Sequence, residues 1–132
     1  MADAIGVLDA KTAVAVGTTT AYTVPAGHAA KIRLFFRGVA GSNSTLAVKI
    51  NGLQLFVTPA ITAALICYST YSIIVTTAGA VTVAGSADLT TVAPFQREYM
   101  LSAGDTVEYV IGTADFTSMD FQVIGTQVLL PS

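Results

Sequence analysis

Apolar and polar residues alternate along much of this chain with a period of two, which predicts strands. Residues 29–39 show it best. Ile32, Leu34 and Phe36 fall on one face, and Lys31, Arg33, Phe35 and Arg37 fall on the other. The first face is core, and the second is either wet or an interface. A short strand at 22–24 precedes this one, and Pro25-Ala26-Gly27 makes the corner between them. Pro25 presets φ for a tight turn, and Gly27 can take the positive φ that the turn needs. The spacing is echoed at Tyr99-Met100-Leu101-Ser102-Ala103-Gly104, which again leads into a strand.

The strongest local signal lies between these stretches. Leu46, Val48 and Ile50 alternate with Ala47 and Lys49, Asn51-Gly52 follows, and Leu53, Leu55 and Val57 alternate with Gln54 and Phe56. Asn-Gly is the preferred pair for a two-residue type I′ loop. A plain hairpin would then set Ile50 opposite Leu53, Val48 opposite Leu55 and Leu46 opposite Val57.

Elsewhere residues 1–10 show no clear period and read as an arm, 12–16 as a short strand and 17–20 as a polar loop. Gly41-Ser42-Asn43-Ser44 is a turn cluster. Residues 65–68 and 71–75 read as strands with a bulge or kink at Ser69-Thr70, 76–80 as a turn and 81–83 as a short strand, and Pro94 ends the 58–95 segment. Strands are expected again over 97–101 and 105–111. After a loop over 112–117, a last strand carries Met119, Phe121 and Val123 on one face and continues through a bulge at Gly125 to 128–130. No segment sustains a 3.6-residue period. The prediction is an all-β protein, an antiparallel β-sandwich of jelly-roll-like form. Residues 1–19 would be an N-terminal arm and first short strand, and 20–132 a single sandwich domain.

Composition sharpens this reading. Of 132 residues, 53% are apolar and only 11% charged, against about 25% charged in an ordinary domain. So few charges predict that partners cover much of the surface. No charged residue lies between Lys49 and Asp88, so the 50–87 segment is expected to contribute to contacts between copies of the chain, a homotrimer. The net charge of −2 argues against a nucleic-acid partner. The longest purely apolar run, 63–68, is far short of the ~20 residues that a membrane helix needs, and no membrane partner is expected. The first six residues lack the positive and apolar regions of a secretory signal. A single cysteine, Cys67, cannot form an internal disulfide.

Candidate chemistry is sparse. His28 is the only histidine and is expected as an exposed turn residue. Cys67 sits among Leu65, Ile66 and Tyr68 and reads as core. The acids are scattered, with no calcium-loop spacing, and Asp105 reads as a turn residue whose carboxylate accepts backbone N–H groups. No catalytic, cofactor or metal site is predicted, and the chain is not expected to be an enzyme. The candidate site is an interface carried by Lys31, Arg33, Phe35, Arg37 and Phe56, since an aromatic among cations is a common interface composition.

Tyr22-Thr23-Val24-Pro25-Ala26-Gly27 with its following strand, Leu101-Ser102-Ala103-Gly104-Asp105-Thr106-Val107, and the strand–Asn51-Gly52–strand unit between them resemble small β-sandwich virion structural proteins of tailed phages. The similarity spans roughly residues 20–125, and it departs from the pattern at His28, where a lysine is commoner. The resemblance implies a virion protein on the capsid exterior, assembled in the host cytoplasm. The role expected is that of a capsid decoration (cement) protein that binds the major capsid protein and stabilises the shell. The alternative is a tail, fibre or receptor-binding module. The resemblance supplies no catalytic residues.

Overall fold

The structure is a computed structural model that describes residues 3–58, 60–61, 66–69, 73–77, 80–83 and 98–131. These residues form strands and no helix. In chain order the strands are β1 (Ala4–Lys11), β2 (Gly17–Thr23), β3 (His28–Ala40), β4 (Thr45–Ile50), β5 (Leu53–Val57), β6 (Ile66–Ser69), β7 (Ile73–Thr77), β8 (Ala80–Val83), β9 (Tyr99–Ser102), β10 (Thr106–Gly112) and β11 (Phe116–Leu129).

Two antiparallel sheets pack face to face. The larger has the order β1-β11-β3-β6-β7-β8, with β9 also paired to β3, and the smaller has the order β2-β10-β4-β5. Leaving out β6–β8, the pairs are β1 with β11, β2 with β10, β3 with β9 and β4 with β5. The first strand thus pairs with the last, the second with the last but one, and so inward. This is one long antiparallel ribbon rolled into a sandwich, the eight-strand jelly roll. Strands β6–β8 are an added meander that extends the larger sheet beyond β3.

The inward residues of β3, β10 and β11 make the core. Phe36 and Phe121 from the larger sheet stack at 5.9 Å, and Tyr109 from the smaller sheet stacks on Phe121 at 4.7 Å. All three rings are fully buried, with Ile32, Leu46, Val48, Val107, Ile111 and Val123 around them. Burying each such side chain contributes roughly 1.5–3 kcal/mol.

The two Ala-Gly corners lie side by side. Val24 N–H donates to the Asp105 carbonyl and Gly104 N–H to the Val24 carbonyl, both at 3.0 Å. The Asn51-Gly52 turn joins them. The Asp105 carboxylate accepts from Ser102 N–H at 2.8 Å and Asn51 Nδ2 at 2.9 Å, while Asn51 Oδ1 accepts from Thr106 N–H at 2.8 Å. The backbone bond from Ser102, and then that from Asn51, holds the Asp105 carboxyl below the usual carboxylate range. Positive φ at both Asn51 and Gly52 gives the type I′ geometry that the pair predicted.

Several expectations are corrected. Residues 4–11 are not an arm but the edge strand β1, paired along β11. Their period was hidden because the register slips between Val7 and Asp9. Ile5 and Val7 point outward before the slip, and Leu8 packs on the core. Residues 17–20 are strand and 12–16 are not. The threonines of β2 pair with β10. The 12–16 segment instead gives its polar groups to one loop end and one side chain. Phe116 N–H donates to the Val14 carbonyl, Val16 N–H to Asp115 Oδ1 and Tyr109 Oη–H to the Ala13 carbonyl.

In the β4–β5 hairpin only Ile50 opposite Leu53 is as expected. A bulge between Val48 and Lys49 sets Val48 opposite Phe56 and Ala47 opposite Val57. It lets Leu55 pack against the core while Leu53 stays exposed. Gly125 is no bulge, because it pairs in continuous register with Ile32, and a Cβ there would run into the Lys31 carbonyl. Ser69 is not at a kink in one strand but opposite Ile73 in an antiparallel pair. Thr70, Pro94 and Arg97 lie outside the described residues.

Candidate functional site

The four stripe residues of β3 stand where the alternation put them. Lys31, Arg33, Phe35 and Arg37 are exposed, and the residues between them are buried. They lie on the outer face of the larger sheet, and the strand register supplies their neighbours. Ile5 of β1, Thr126 of β11, Lys31 and Met100 of β9 form one row. Val7, Ile124 and Arg33 form the next, followed by Ala10, Gln122 and Phe35. Asp120 stands opposite Arg37, and on the other side Arg37 pairs with Tyr68 of β6. Such rows are the unit in which side chains on one sheet face meet.

The face exposes several large apolar side chains. Ile5 is 84% exposed, Met100 76%, Val7 56% and Phe35 44%. Beside Met100 a shallow depression of about 280 Å³ is lined by Ala29, Ala30, Lys31, Met100, Thr126 and Val128. Lys31 Nζ lies 3.5 Å from Glu98 Oε1 at its border, with both side chains about half exposed. Such a pair contributes about 0–1 kcal/mol and does little to fix the lysine.

Phe56 does not join this group. Its backbone lies in β5, at the edge of the smaller sheet and opposite Val48. The residues that sequence reasoning missed are Ile5, Val7, Met100, Ile124 and Val128. Their signal was the period of two in each short segment, visible in Ile5-Gly6-Val7 and Tyr99-Met100-Leu101. What joins the segments into one face is long-range register.

The other candidate groups are structural. His28 is not exposed. It is the first inward residue of β3, opposite Leu129, 1% exposed, with Nδ1 2.9 Å from the Ala26 carbonyl. His28 N–H closes the corner on the Pro25 carbonyl at 3.1 Å, and β3 starts there rather than at residue 29. Cys67 is in the core beside β3, and burial pushes its thiol up to about 12. Its thiolate is therefore scarce at neutral pH. Among the described residues no three of His, Cys, Asp and Glu lie close enough together to hold a metal ion.

No protein-family model, no curated protein and no solved structure matches this chain.

Proposed function

We propose that this chain is a structural protein of a phage virion: a capsid decoration protein that docks on the major capsid protein shell, as a homotrimer, and stabilises it without catalysis. The observation that carries this reading is the outer face of the larger sheet, where exposed large apolar side chains surround a stripe of cations. Contiguous exposed apolar surface on a small protein marks a site that another surface covers. The low charge of the chain, 11% of residues, points the same way. The jelly roll is an architecture used by viral capsid proteins and lectins, which makes the reading coherent but does not choose it. Many weak, simultaneous contacts on a repeating shell would add through effective concentration.

A tail, fibre or receptor-binding role is the second reading. Receptor sites on sandwiches sit on loops, whereas here the apolar side chains of the candidate site sit on the strands of one sheet face. That placement favours docking against a broad surface. Placing the protein on the particle by cryo-electron microscopy tests the choice. Copies in proportion to capsid subunits are expected. Copies confined to the tail would replace the first reading with the second, and absence from the particle would end both.

A further inference from the structure

We infer that Asn51 is a deamidation site whose reaction is held back by its bonds to the Asp105 corner, and that the reaction, once it occurs, breaks that clasp for good. The inference does not depend on the proposed function.

Asparagine followed by glycine is the pair in which the next backbone nitrogen most readily attacks the side-chain amide, because glycine has no Cβ to block the approach. The chain has two asparagines, Asn43 and Asn51, and only Asn51 precedes a glycine. Asn51 and Gly52 are both exposed, and a Cβ built on Gly52 would meet nothing within 4 Å. Water and base therefore reach this peptide unit. Asn43 precedes Ser44, which is fully buried and whose backbone N–H donates to the Ile61 carbonyl at 3.0 Å. Position 51 is thus the labile one.

In the reaction the Gly52 nitrogen forms a bond to Asn51 Cγ. The bond from Cγ to Nδ2 breaks, and ammonia leaves with the proton from the Gly52 nitrogen. Water then opens the cyclic imide at one carbonyl or the other, which leaves aspartate or isoaspartate at position 51.

For the attack, Cγ must turn toward the Gly52 nitrogen. The fold holds the amide elsewhere, by both ends. Oδ1 accepts from Thr106 N–H at 2.8 Å, and Nδ2 donates to Asp105 Oδ1 at 2.9 Å. The Asn51 backbone is fixed as well, its N–H donating to the Thr106 carbonyl at 2.9 Å. All three partners belong to the start of β10, so the side chain is drawn toward that strand. Loss of Nδ2 as ammonia also removes a charge-assisted bond.

Neither product can restore the clasp. Aspartate puts a carboxylate oxygen where Nδ2 donated, so Asp105 loses a donor and faces a like charge. Isoaspartate carries the main chain through Cγ and lengthens a turn that fits two residues.

The test follows deamidation at each asparagine by peptide mass spectrometry, with isoaspartate counted separately, in one mildly alkaline buffer. Folded wild type should react at position 51 about twentyfold more slowly than wild type unfolded in guanidinium chloride. Folded Asp105→Ala should react about fivefold faster than folded wild type. Folded Gly125→Ala, which disturbs the larger sheet away from the clasp, should keep the wild-type rate. The wild-type comparison decides the matter if Asp105→Ala does not fold. Equal rates in folded and unfolded wild type, no acceleration in folded Asp105→Ala, or equal acceleration by Gly125→Ala would each overturn the inference.

Asn51→Asp supplies one product directly. Two carboxylates side by side raise the pair's pKa in the folded state, so the penalty is present above that value and is relieved as pH falls through it. The variant should melt below the wild type at neutral pH, and the gap should narrow in mild acid. A gap that ignores pH would overturn the claim that the product breaks the clasp.

Discussion

The two outer faces of the sandwich are built from the same pleat and carry different chemistry. On the smaller sheet, Thr18, Val110, Ala47 and Val57 make one row, and Thr20, Glu108, Lys49 and Gln54 cross the sheet beside it. Thr23 and Thr106 pair beyond them. Acid, base and amide stand side by side there, threonine is the commonest residue, and the ordinary solvated face of an antiparallel sheet results. The equivalent rows on the larger sheet hold the large apolar residues Ile5, Val7, Ile124, Phe35 and Met100 among Lys31, Arg33, Arg37, Asp120, Gln122 and Thr126. Both faces cover the same core, so core packing cannot account for the difference. The larger sheet has exposed apolar side chains beyond those that its core packing uses.

The comparison can be attacked at its base. Phe121 touches Phe36 within its own sheet and Tyr109 across the core. Phe121→Ala should lower the unfolding free energy by about 4 kcal/mol, measured in urea, and should loosen both faces together. If only one face lost protection in hydrogen exchange, the two sheets would not share a core in the way described.

Gly125→Ala acts on the larger sheet alone. The added methyl meets the Lys31 backbone, which cannot swing away as a side chain could. A loss of about 2–3 kcal/mol is expected, with exchange rising in β3 and β11 before β4 and β10. A neutral result would mean that these strands lie farther apart than the structure places them.

The Asp105 clasp joins the corners below both faces and should respond to acid. Its folded-state pKa is depressed, so its contribution is fully present above the unfolded carboxylate value of about 3.9 and is lost as pH falls through the lower folded value. Asp105→Asn should lower the melting temperature at neutral pH and flatten its fall in acid. Equal acid sensitivity in the variant would assign that fall to other carboxylates.

The smallest expected effect is the sharpest for the comparison. Ile5→Thr with Met100→Thr makes the outer face of the larger sheet resemble its counterpart. Stability should move by no more than about 0.5 kcal/mol, while retention on a hydrophobic column should fall clearly. Val57→Thr on the smaller sheet should change retention much less.

The parts of this fold that depend on neighbouring residues were legible in the sequence. Asn51-Gly52 announced its turn, and the alternation of 29–39 placed Lys31, Arg33, Phe35 and Arg37 on one side. Features decided by distant partners were not. The bulge beside Val48 lies where β4 pairs in continuous register with β10 on its other side. The strand character of 17–20 comes from pairing with β10, and threonine-rich sequence does not separate that from a loop. The candidate site was half visible for the same reason. One strand of it could be read directly, whereas Ile5 and Thr126 become neighbours only when the first strand meets the last.

One feature of β3 bears on how the molecule breathes. Along one side it is held by a single partner, β11, through its whole length. Along the other, among the described residues, β9 pairs with its first third and β6 with a stretch near its end. Two short fasteners can let go one at a time where a single long one cannot. On that side the two ends of the strand that carries the cations are therefore fastened independently of each other.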